Sequence, residues 1–198
     1  MENSIDLSVN RCEWNLTDVL LTRYHDIEWG EPLHDDRMLF EFLALDGMQA
    51  GLSWNTILRK RENFRQAFDN FEIDVVARYG DTKIQELLAN PGIVRNKAKI
   101  NAIIHNANHV LDICQEFGSL DAYLWGFTGG KPLQNSWQTL SQIPATSPIS
   151  DVMSKDMVGR GFKFCGSTIL YAFMQAAGMV NDHIVACYRY KELCKVNL

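Results

Sequence analysis

Four cysteine and histidine residues near the two ends of the chain could bind one metal ion. Cys12 and His25 lie near the N-terminus, and His183 and Cys187 lie near the C-terminus. Residues four apart on a helix share a face, so His183 and Cys187 could grip an ion together. Two Cys and two His suit tetrahedral zinc in a closed site. Such a pair is also often incidental, and Cys12 and His25 are further apart than in compact zinc fingers, so spacing alone leaves both interpretations open.

The composition predicts a globular chain. With 198 residues, of which 46% are hydrophobic, it is long enough to bury a core. No apolar run approaches the roughly 18 residues that span a bilayer, and residues 1–10 lack the features of a signal peptide. Five dispersed cysteines do not form a disulfide framework. We therefore expect a cytoplasmic protein without a membrane partner.

The charge distribution bears on whether the partner is a nucleic acid. A net charge of −5 counts against DNA, whose phosphates normally require a basic face. Acidic residues crowd the segment 18–46, whereas basic residues recur within 59–61, 95–99 and 155–163. One basic groove or ordinary solvated helix faces would both give this pattern.

Helical periodicity runs through almost the whole chain. Helices are predicted over 37–45, 54–68, 74–78, 81–88, 95–116, 119–127, 152–158, 167–178 and 183–190. Asp35 and Ser53 stand where N-terminal caps are expected. The segment 159–166 is predicted to be a glycine-punctuated hairpin. Strand alternation is scarce and no internal repeat occurs, so the fold class is predicted to be all-α.

Several motifs appear in one order along the chain. They lie at 11–14, 24–30, 49–54, 60–64, 160–166, 174–176 and 180–183. In this order and at these separations they resemble the constitutive bacterial 3-methyladenine DNA glycosylase I family of the helix-hairpin-helix superfamily. The resemblance extends from Arg11 to about Tyr188, which is nearly the whole chain.

The resemblance implies a fold and a metal. The expected fold is a two-lobed helix-hairpin-helix DNA glycosylase, a single domain over 1–198 with the base pocket between the lobes. The zinc lobe would form from about 10–35 and 180–190, joining the two terminal segments. Cys12, His25, His183 and Cys187 stand at the positions of the family's ligands, so structural Zn²⁺ is the expected cofactor.

Aromatic residues within the matching motifs are expected to form the base pocket. N3-methylation gives adenine a positive charge, and a cation over an indole gains roughly 0.5–2 kcal/mol. By resemblance Trp54 would stack on the base and Tyr24 would hydrogen-bond to it, with Trp14 and Trp29 beside them. Taken singly, each Trp fits core packing as well.

A carboxylate is the one clear departure from the family pattern. The family commonly has Glu where this chain has Asp46, whose side chain is shorter by one C–C bond, about 1.5 Å. We predict that Asp46 still accepts hydrogen bonds from the base, through a bridging water or a small helix shift, and serves as the catalytic residue. The alternative is a helix cap before Gly47.

Two glycine-containing loops are expected to contact double-stranded alkylated DNA. By resemblance Gly51 and Leu52 face the gap left by the flipped nucleotide, where an apolar wedge would hold the duplex open. Gly161 and Gly166 would let backbone N–H groups approach a phosphate, and Lys163 would add charge. A tight turn and a helix C-cap are the alternatives that need no DNA.

The expected reaction is hydrolysis of the N-glycosidic bond of 3-methyladenine after base flipping, with free 3-methyladenine as product. Asn181 stands where related glycosylases carry a catalytic Asp, and no Lys stands at a site expected to form a Schiff base, which predicts a monofunctional enzyme without a lyase step. Because such an enzyme must track along DNA, we expect a monomer. The alternatives are a non-catalytic DNA-binding module and a metallohydrolase. Four protein ligands would leave catalytic zinc no open position.

Overall fold

The protein is predominantly helical in the computed structural model, which describes residues 8–15 and 18–195. This part of the chain forms α1 Val19–Ile27, α2 Asp36–Gln49, α3 Trp54–Ala67, α4 Ile73–Val76, α5 Asp81–Ala89, α6 Lys97–Phe117, α7 Leu120–Gly126, α8 Pro148–Gly159, α9 Ser167–Ala176 and α10 Tyr188–Lys195. Short 3₁₀ turns occur at Glu13–Asn15, Asp69–Phe71 and Leu140–Gln142. Among the described helices, none is both long and apolar enough to cross a membrane. The ends of the predicted domain, residues 1–7 and 196–198, lie outside the described residues.

Side-chain caps fix where the central helices begin. The Asp35 carboxylate accepts from the backbone N–H of Met38 at 2.8 Å, and the Ser53 hydroxyl accepts from that of Thr56 at 3.2 Å. Each cap satisfies an N–H group that has no partner inside the helix. Both predicted caps are therefore confirmed.

Helix α2 is the centre of the core. Every residue from Leu39 to Met48 is buried, and the helix packs against α3, α6, α7 and α9. A helix surrounded by others buries all its faces, so the sequence from Leu39 to Leu45 is nearly continuously apolar. The helix continues past the predicted end at Leu45, which places Asp46 inside it. Asp46 therefore does not cap a helix before Gly47.

A small two-stranded parallel sheet accompanies the helices of the predicted all-α fold. Strand β1, Leu133–Gln134, pairs with β2, Val180–Asn181. Two-residue strands are too short to show alternation in the sequence. The pairing attaches the segment after α7 to the chain immediately before His183.

The metal-ligand pair near the C-terminus lies in a turn, not on a helix. The predicted helix 183–190 is wrong in its first half, because α10 begins at Tyr188. Between His183 and Cys187 the chain turns, and the N–H of Cys187 donates to the carbonyl of Ile184 at 2.8 Å. The turn nevertheless places the Sγ of Cys187 3.5 Å from Nδ1 of His183.

Candidate active site and metal centre

A cavity of about 430 Å³ lies between residues from distant parts of the sequence. All five residues predicted to bind the base line it: Trp14, Tyr24, Trp29, Asp46 and Trp54. Helix α9 supplies Ala172, Gln175 and Ala176, and a loop supplies Leu140, Ile143 and Pro144. The volume and the mainly apolar lining are typical of a site for a small ring-shaped ligand.

The aromatic residues form a continuous wall of the cavity. The ring centroids of Trp14 and Trp29 are 5.1 Å apart with the planes at 77°. Tyr24 lies 5.4 Å from Trp54 and 6.5 Å from Trp14. These separations are those of attractive aromatic pairs, so each ring is held by its neighbours. A cationic ring entering the cavity would meet electron-rich faces already in place.

Among the described residues, Asp46 is the only carboxylic acid in the cavity lining, and it is nearly inaccessible, with 4% of its surface exposed. Within the described residues its Oδ2 atom has no hydrogen-bond partner, nor does the buried Nε1 of Trp54. Burial raises the pKa of Asp46 well above its ordinary value. Burial, reinforced by the charges of Asp46 and Glu28, likewise raises the pKa of Tyr24. A buried polar atom without a partner is costly, so these groups suit a ligand that pairs with them.

Other lining residues were not predicted from the sequence. Gln49 lies within the motif at 49–54 and Gln175 within the motif at 174–176. Ala172, Gln175 and Ala176 recur at helical spacing on α9. That spacing could have identified them as one face. The loop residues 140–144 carry no comparable signal, because they reach the cavity through tertiary contacts alone.

The four predicted metal ligands meet in one buried cluster. The ligand atoms of Cys12, His25, His183 and Cys187 all lie within 4.8 Å of one another. Sγ of Cys187 is 3.5 Å from both histidine nitrogens, Sγ of Cys12 is 3.7 Å from His183 Nδ1, and the two nitrogens are 3.2 Å apart. Ordinary Zn–S and Zn–N lengths in a tetrahedron give about 3.5 Å for S···N and about 3.3 Å for N···N. The donor set therefore fits a tetrahedral zinc ion.

In His25 and His183, the outer ring nitrogen, which points away from the cluster, faces a hydrogen-bond acceptor. Nδ1 of His25 faces an Asp26 oxygen at 2.9 Å, and Nε2 of His183 faces the Trp29 carbonyl at 3.0 Å. Because those partners accept, the histidine protons belong on the outer nitrogens, and the inner nitrogens present lone pairs to the cluster. Arg11 holds Asp26 in turn, at 2.8 Å.

The two thiols of the cluster are strongly inequivalent. The hydrogen bond from the Cys12 thiol lowers the pKa of Cys187. The same Cys12–Cys187 bond, together with burial, raises the pKa of Cys12. A thiolate is thus stabilised at Cys187, and thiolate is the form that binds metal.

The loop between α8 and α9 uses much of its backbone internally. The N–H of Gly161 donates to the Val158 carbonyl at 3.0 Å, and the N–H of Lys163 donates to Oδ1 of Asn106 at 2.8 Å. Neither group is free for a phosphate, which corrects part of the prediction for this loop. Gly166 is the N-cap of α9 and offers no side-chain cap, so the first N–H groups of α9 lack one.

The other predicted DNA-contacting loop projects outward. Gly51 has φ +76°, a conformation that glycine adopts without strain, and no atom lies within 4 Å of a Cβ built there. Leu52 is 41% exposed although it is a large apolar residue. A second cavity, of about 200 Å³, joins this loop to Asp46.

Several of the predicted basic groups are engaged within the protein. Arg61 pairs with Glu41 at 2.6 Å, Lys99 donates to the carbonyls of Met48 and Ala50, and Arg160 pairs with Glu116 and Asp156. Charges neutralised in this way contribute little to a basic groove. Exposed basic residues remain at Arg95, Lys97, Lys155 and Lys163.

Comparison with known proteins decides the family. The family model for methyladenine glycosylase matches residues 14–190. DNA-3-methyladenine glycosylase 1 of Escherichia coli is 44% identical over 182 residues, which is 92% of this chain and 97% of that protein. The chain belongs to the methyladenine glycosylase family. It is a glycosylase, a hydrolase that acts on N-glycosyl bonds.

Solved structures of methyladenine glycosylases have the same fold. A crystal structure of 3-methyladenine DNA glycosylase I matches with a TM-score of 0.88 at 46% identity and covers 90% of this chain and 98% of its own. A variant of 3-methyladenine DNA glycosylase I, solved in complex with 3-methyladenine, matches with a TM-score of 0.87 at 36% identity, covering 90% and 96%. The resemblance inferred from the sequence motifs is therefore confirmed.

Proposed function

We propose that the chain hydrolyses the N-glycosidic bond of 3-methyladenine in alkylated double-stranded DNA. The observation that carries this proposal is the Asp46 carboxylate, buried without a partner for Oδ2 in an aromatic cavity. Relatives bear the same activity in their names, and one is solved with 3-methyladenine. A site of this kind gains most from a ligand that brings both positive charge and hydrogen-bond donors.

The methylated base needs little acid catalysis, because its positive charge already weakens the bond to the sugar. The main task of the cavity is to bind a flipped, cationic base and to exclude a neutral one. Trp54 stacks on the base, Tyr24 hydrogen-bonds to it, and Trp14 and Trp29 complete the aromatic wall. Asp46 accepts from the base edge and offsets its charge, which stabilises the departing base.

Asp46 replaces the Glu that the family commonly carries, so its reach is shorter by about 1.5 Å. Asp46 lies inside the buried helix α2. A bridging water or a small shift of the base closes this difference. The lining supports this proposal, because it includes both Asp46 and Gln49, which is one turn further along α2.

DNA contacts follow from the two outward loops. The exposed Leu52 side chain enters the space left by the flipped nucleotide, with Gly51 permitting the turn. On the other loop, the ammonium group of Lys163 and the N-terminal N–H groups of α9 beyond Gly166 bind one phosphate. Gly161 contributes by allowing the turn and not through its own N–H.

Zinc is the cofactor that fits Cys12, His25, His183 and Cys187, and its role is structural. Bound there, it would join the segments 10–35 and 180–190 into one lobe of a two-lobed domain spanning 1–198. Four protein ligands leave it no position for substrate, so the chemistry belongs to the cavity. We expect a monomer that acts in the cytoplasm, where free cysteines stay reduced.

Release of free base from methylated duplex DNA tests the proposal. Wild-type protein should release 3-methyladenine, Asp46→Asn should be slower by at least about tenfold, and Asp46→Glu should retain activity. Asp74→Asn, on the exposed side of α4, is the matched control. Equal rates for wild type and Asp46→Asn would show that another group meets the base. Binding to methylated DNA without base release by any variant would identify a non-catalytic DNA-binding module.

A further inference from the structure

A buried carboxylate outside the cavity holds two of its walls together. Asp182 is 1% exposed. Four donors reach its oxygens at 2.6–2.8 Å: Asn135 Nδ2, Trp137 Nε1, Tyr171 Oη and Gln175 Nε2. An ionised carboxylate accepts about four hydrogen bonds, so its capacity is filled. Two donors lie on α9 and two lie on the segment that leads to the cavity loop.

This carboxylate determines which way the amide of Gln175 points. Asp182 with four donors around it can only accept, so the atom of Gln175 that faces it must be Nε2. The carbonyl oxygen, Oε1, is therefore on the other arm of the amide. Within residues 8–15 and 18–195 no group donates a hydrogen bond to that oxygen. Gln175 lines the base cavity, and Oε1 is the acceptor that it can offer to a ligand.

The neighbours of Gln175 leave space for such a contact. Ala172 and Ala176 lie on the same face of α9, and both are small residues that line the cavity. Asp46, on α2, lines the same cavity. Oδ2 of Asp46 and Oε1 of Gln175 are thus two acceptors of the lining that no described group satisfies, beside the unpaired donor Nε1 of Trp54.

We propose that Oε1 of Gln175 is a second hydrogen-bond acceptor for the base, and that Asp182 is the positioning residue that aims it. The proposal rests on the proposed function and adds a basis for selectivity. Adenine bases carry an amine at C6, which donates, whereas guanine bases carry a carbonyl oxygen there, which accepts. Two acceptors in the pocket favour 3-methyladenine, because a carbonyl facing Gln175 would leave both oxygens unpaired.

Gln175→Met tests the acceptor, since Met keeps the length of the side chain and removes the amide. Methylated duplex DNA contains both 3-methyladenine and 3-methylguanine, and release of each is measured under single-turnover conditions. We expect 3-methyladenine release to fall about tenfold, with 3-methylguanine release unchanged within about twofold. Gln85→Met, exposed on α5, is the matched control and should leave both rates unchanged.

The ratio of the two rates separates recognition from general damage. Equal loss of both activities in Gln175→Met would mean that the residue only maintains the fold, and no loss would mean that Oε1 does not meet the base; either result overturns the proposal. If wild type releases neither base, the proposed function itself has failed.

Asp182→Asn tests the positioning step. The new amide can donate to Oε1 of Gln175, which lets the Gln175 amide turn over and present Nε2 to the cavity. The ratio of 3-methyladenine to 3-methylguanine release should then fall in the same direction as for Gln175→Met. A folded Asp182→Asn protein with the wild-type ratio would refute the positioning role, and Gln175→Met tests the acceptor independently if this variant does not fold.

Discussion

Nε2 of His25 and Nδ1 of His183 lie 3.2 Å apart, although the two residues are separated by 158 positions in the chain. The opposite nitrogen of each ring faces an acceptor, the Asp26 carboxylate in one case and the Trp29 carbonyl in the other. Two lone pairs at this distance repel, and a metal ion bound between them would offset that repulsion. Trp29 also lines the base cavity, so the cluster that could bind a metal ion is in direct contact with the wall that is proposed to bind the base.

Removal of the metal should therefore destabilise the protein before it affects the pocket chemistry. We expect chelation, or Cys187→Ser, to cost about 3 kcal/mol and to lower Tm by about 10 °C. Thermal melts with metal analysis measure this. Cys114→Ser, at a half-buried thiol outside the cluster, is the control and should retain both the metal and Tm. An unchanged Tm after complete chelation would contradict a structural role.

The sequence predicts most of the elements because their signals are local. Asp35 and Ser53 cap helices at the predicted positions. The end of α2 was misplaced at Leu45, because a polar Asp46 followed by a Gly looks like a helix terminus. Only the surrounding helices, which bury every side of α2, show why those two residues continue it.

The site was predictable to the extent that its residues lie in motifs. Trp14 and Asp46 were identified in this way, and the cavity brings them together. Gln175 lies in a motif too, but its orientation depends on Asp182, which a sequence cannot place. The sequence pairs His183 with Cys187 on one helix, whereas the chain forms a turn between β2 and the start of α10 at Tyr188.

The rate of base release should depend on the protonation of Asp46. Burial raises the pKa of Asp46 above its ordinary value of about 3.9. Protonation removes the charge that stabilises the cationic base, so kcat/KM should fall as pH falls through this raised pKa. The profile is measured between pH 4.5 and 8, and Asp46→Asn should give a low, flat one. If kcat/KM of the wild type does not fall with decreasing pH at values above the ordinary pKa of Asp, the role of Asp46 is contradicted.

The same burial predicts that Asp46 destabilises the free protein at neutral and alkaline pH. A folded-state pKa above the unfolded one favours folding below the unfolded value, and this contribution is lost as pH rises through the folded value. Asp46→Asn should thus raise the free energy of unfolding at pH 8 by about 1 kcal/mol, and the gain should shrink toward pH 4. Denaturant melts at several pH values measure it.

The pKa of Asp156 is shifted in the opposite direction to that of Asp46, so Asp156 serves as the control. Burial is outweighed at Asp156 by hydrogen bonds from Arg160 and Tyr123, and the pKa is lowered. Its stabilising effect is present above the unfolded pKa and disappears in acid. Asp156→Asn should lower stability at pH 8 and have a smaller effect near pH 4. The same sign for both variants would show that their pH dependence has another origin.

Gly178 should be intolerant of a side chain. Its φ is +68°, and a Cβ there would lie 2.3 Å from the backbone carbon of Glu31. Gly178→Ala is expected to cost about 3 kcal/mol or more, because backbone must move on both sides. Gly129→Ala has nearly the same φ, +69°, with no atom within 4 Å, so it should cost only about 1–2 kcal/mol. If denaturant melts show the same loss of stability for Gly178→Ala and Gly129→Ala, the contact with Glu31 is not tight.

Lys99 connects the core to the loop that is proposed to enter the DNA. Its Nζ donates to the carbonyls of Met48 and Ala50, at 2.8 and 2.6 Å, and so occupies acceptors at the C-terminal end of α2. Burial lowers the pKa of this ammonium group. Gly51 and Leu52 follow directly, and their position relative to Asp46 depends on how that helix ends.

Lys99→Met should therefore impair flipping more than base recognition. The substitution leaves the Met48 and Ala50 carbonyl groups without this donor, so the loop that carries Leu52 is no longer held at the end of α2. Base release from duplex DNA should therefore fall about tenfold. Binding of free 3-methyladenine, which needs no wedge, should change less than about twofold because the cavity is retained. Lys97→Met removes the same charge from an exposed position and controls for weaker attraction to DNA. If both variants lose activity equally in assays at matched salt, Lys99 acts through its charge and not through the end of α2.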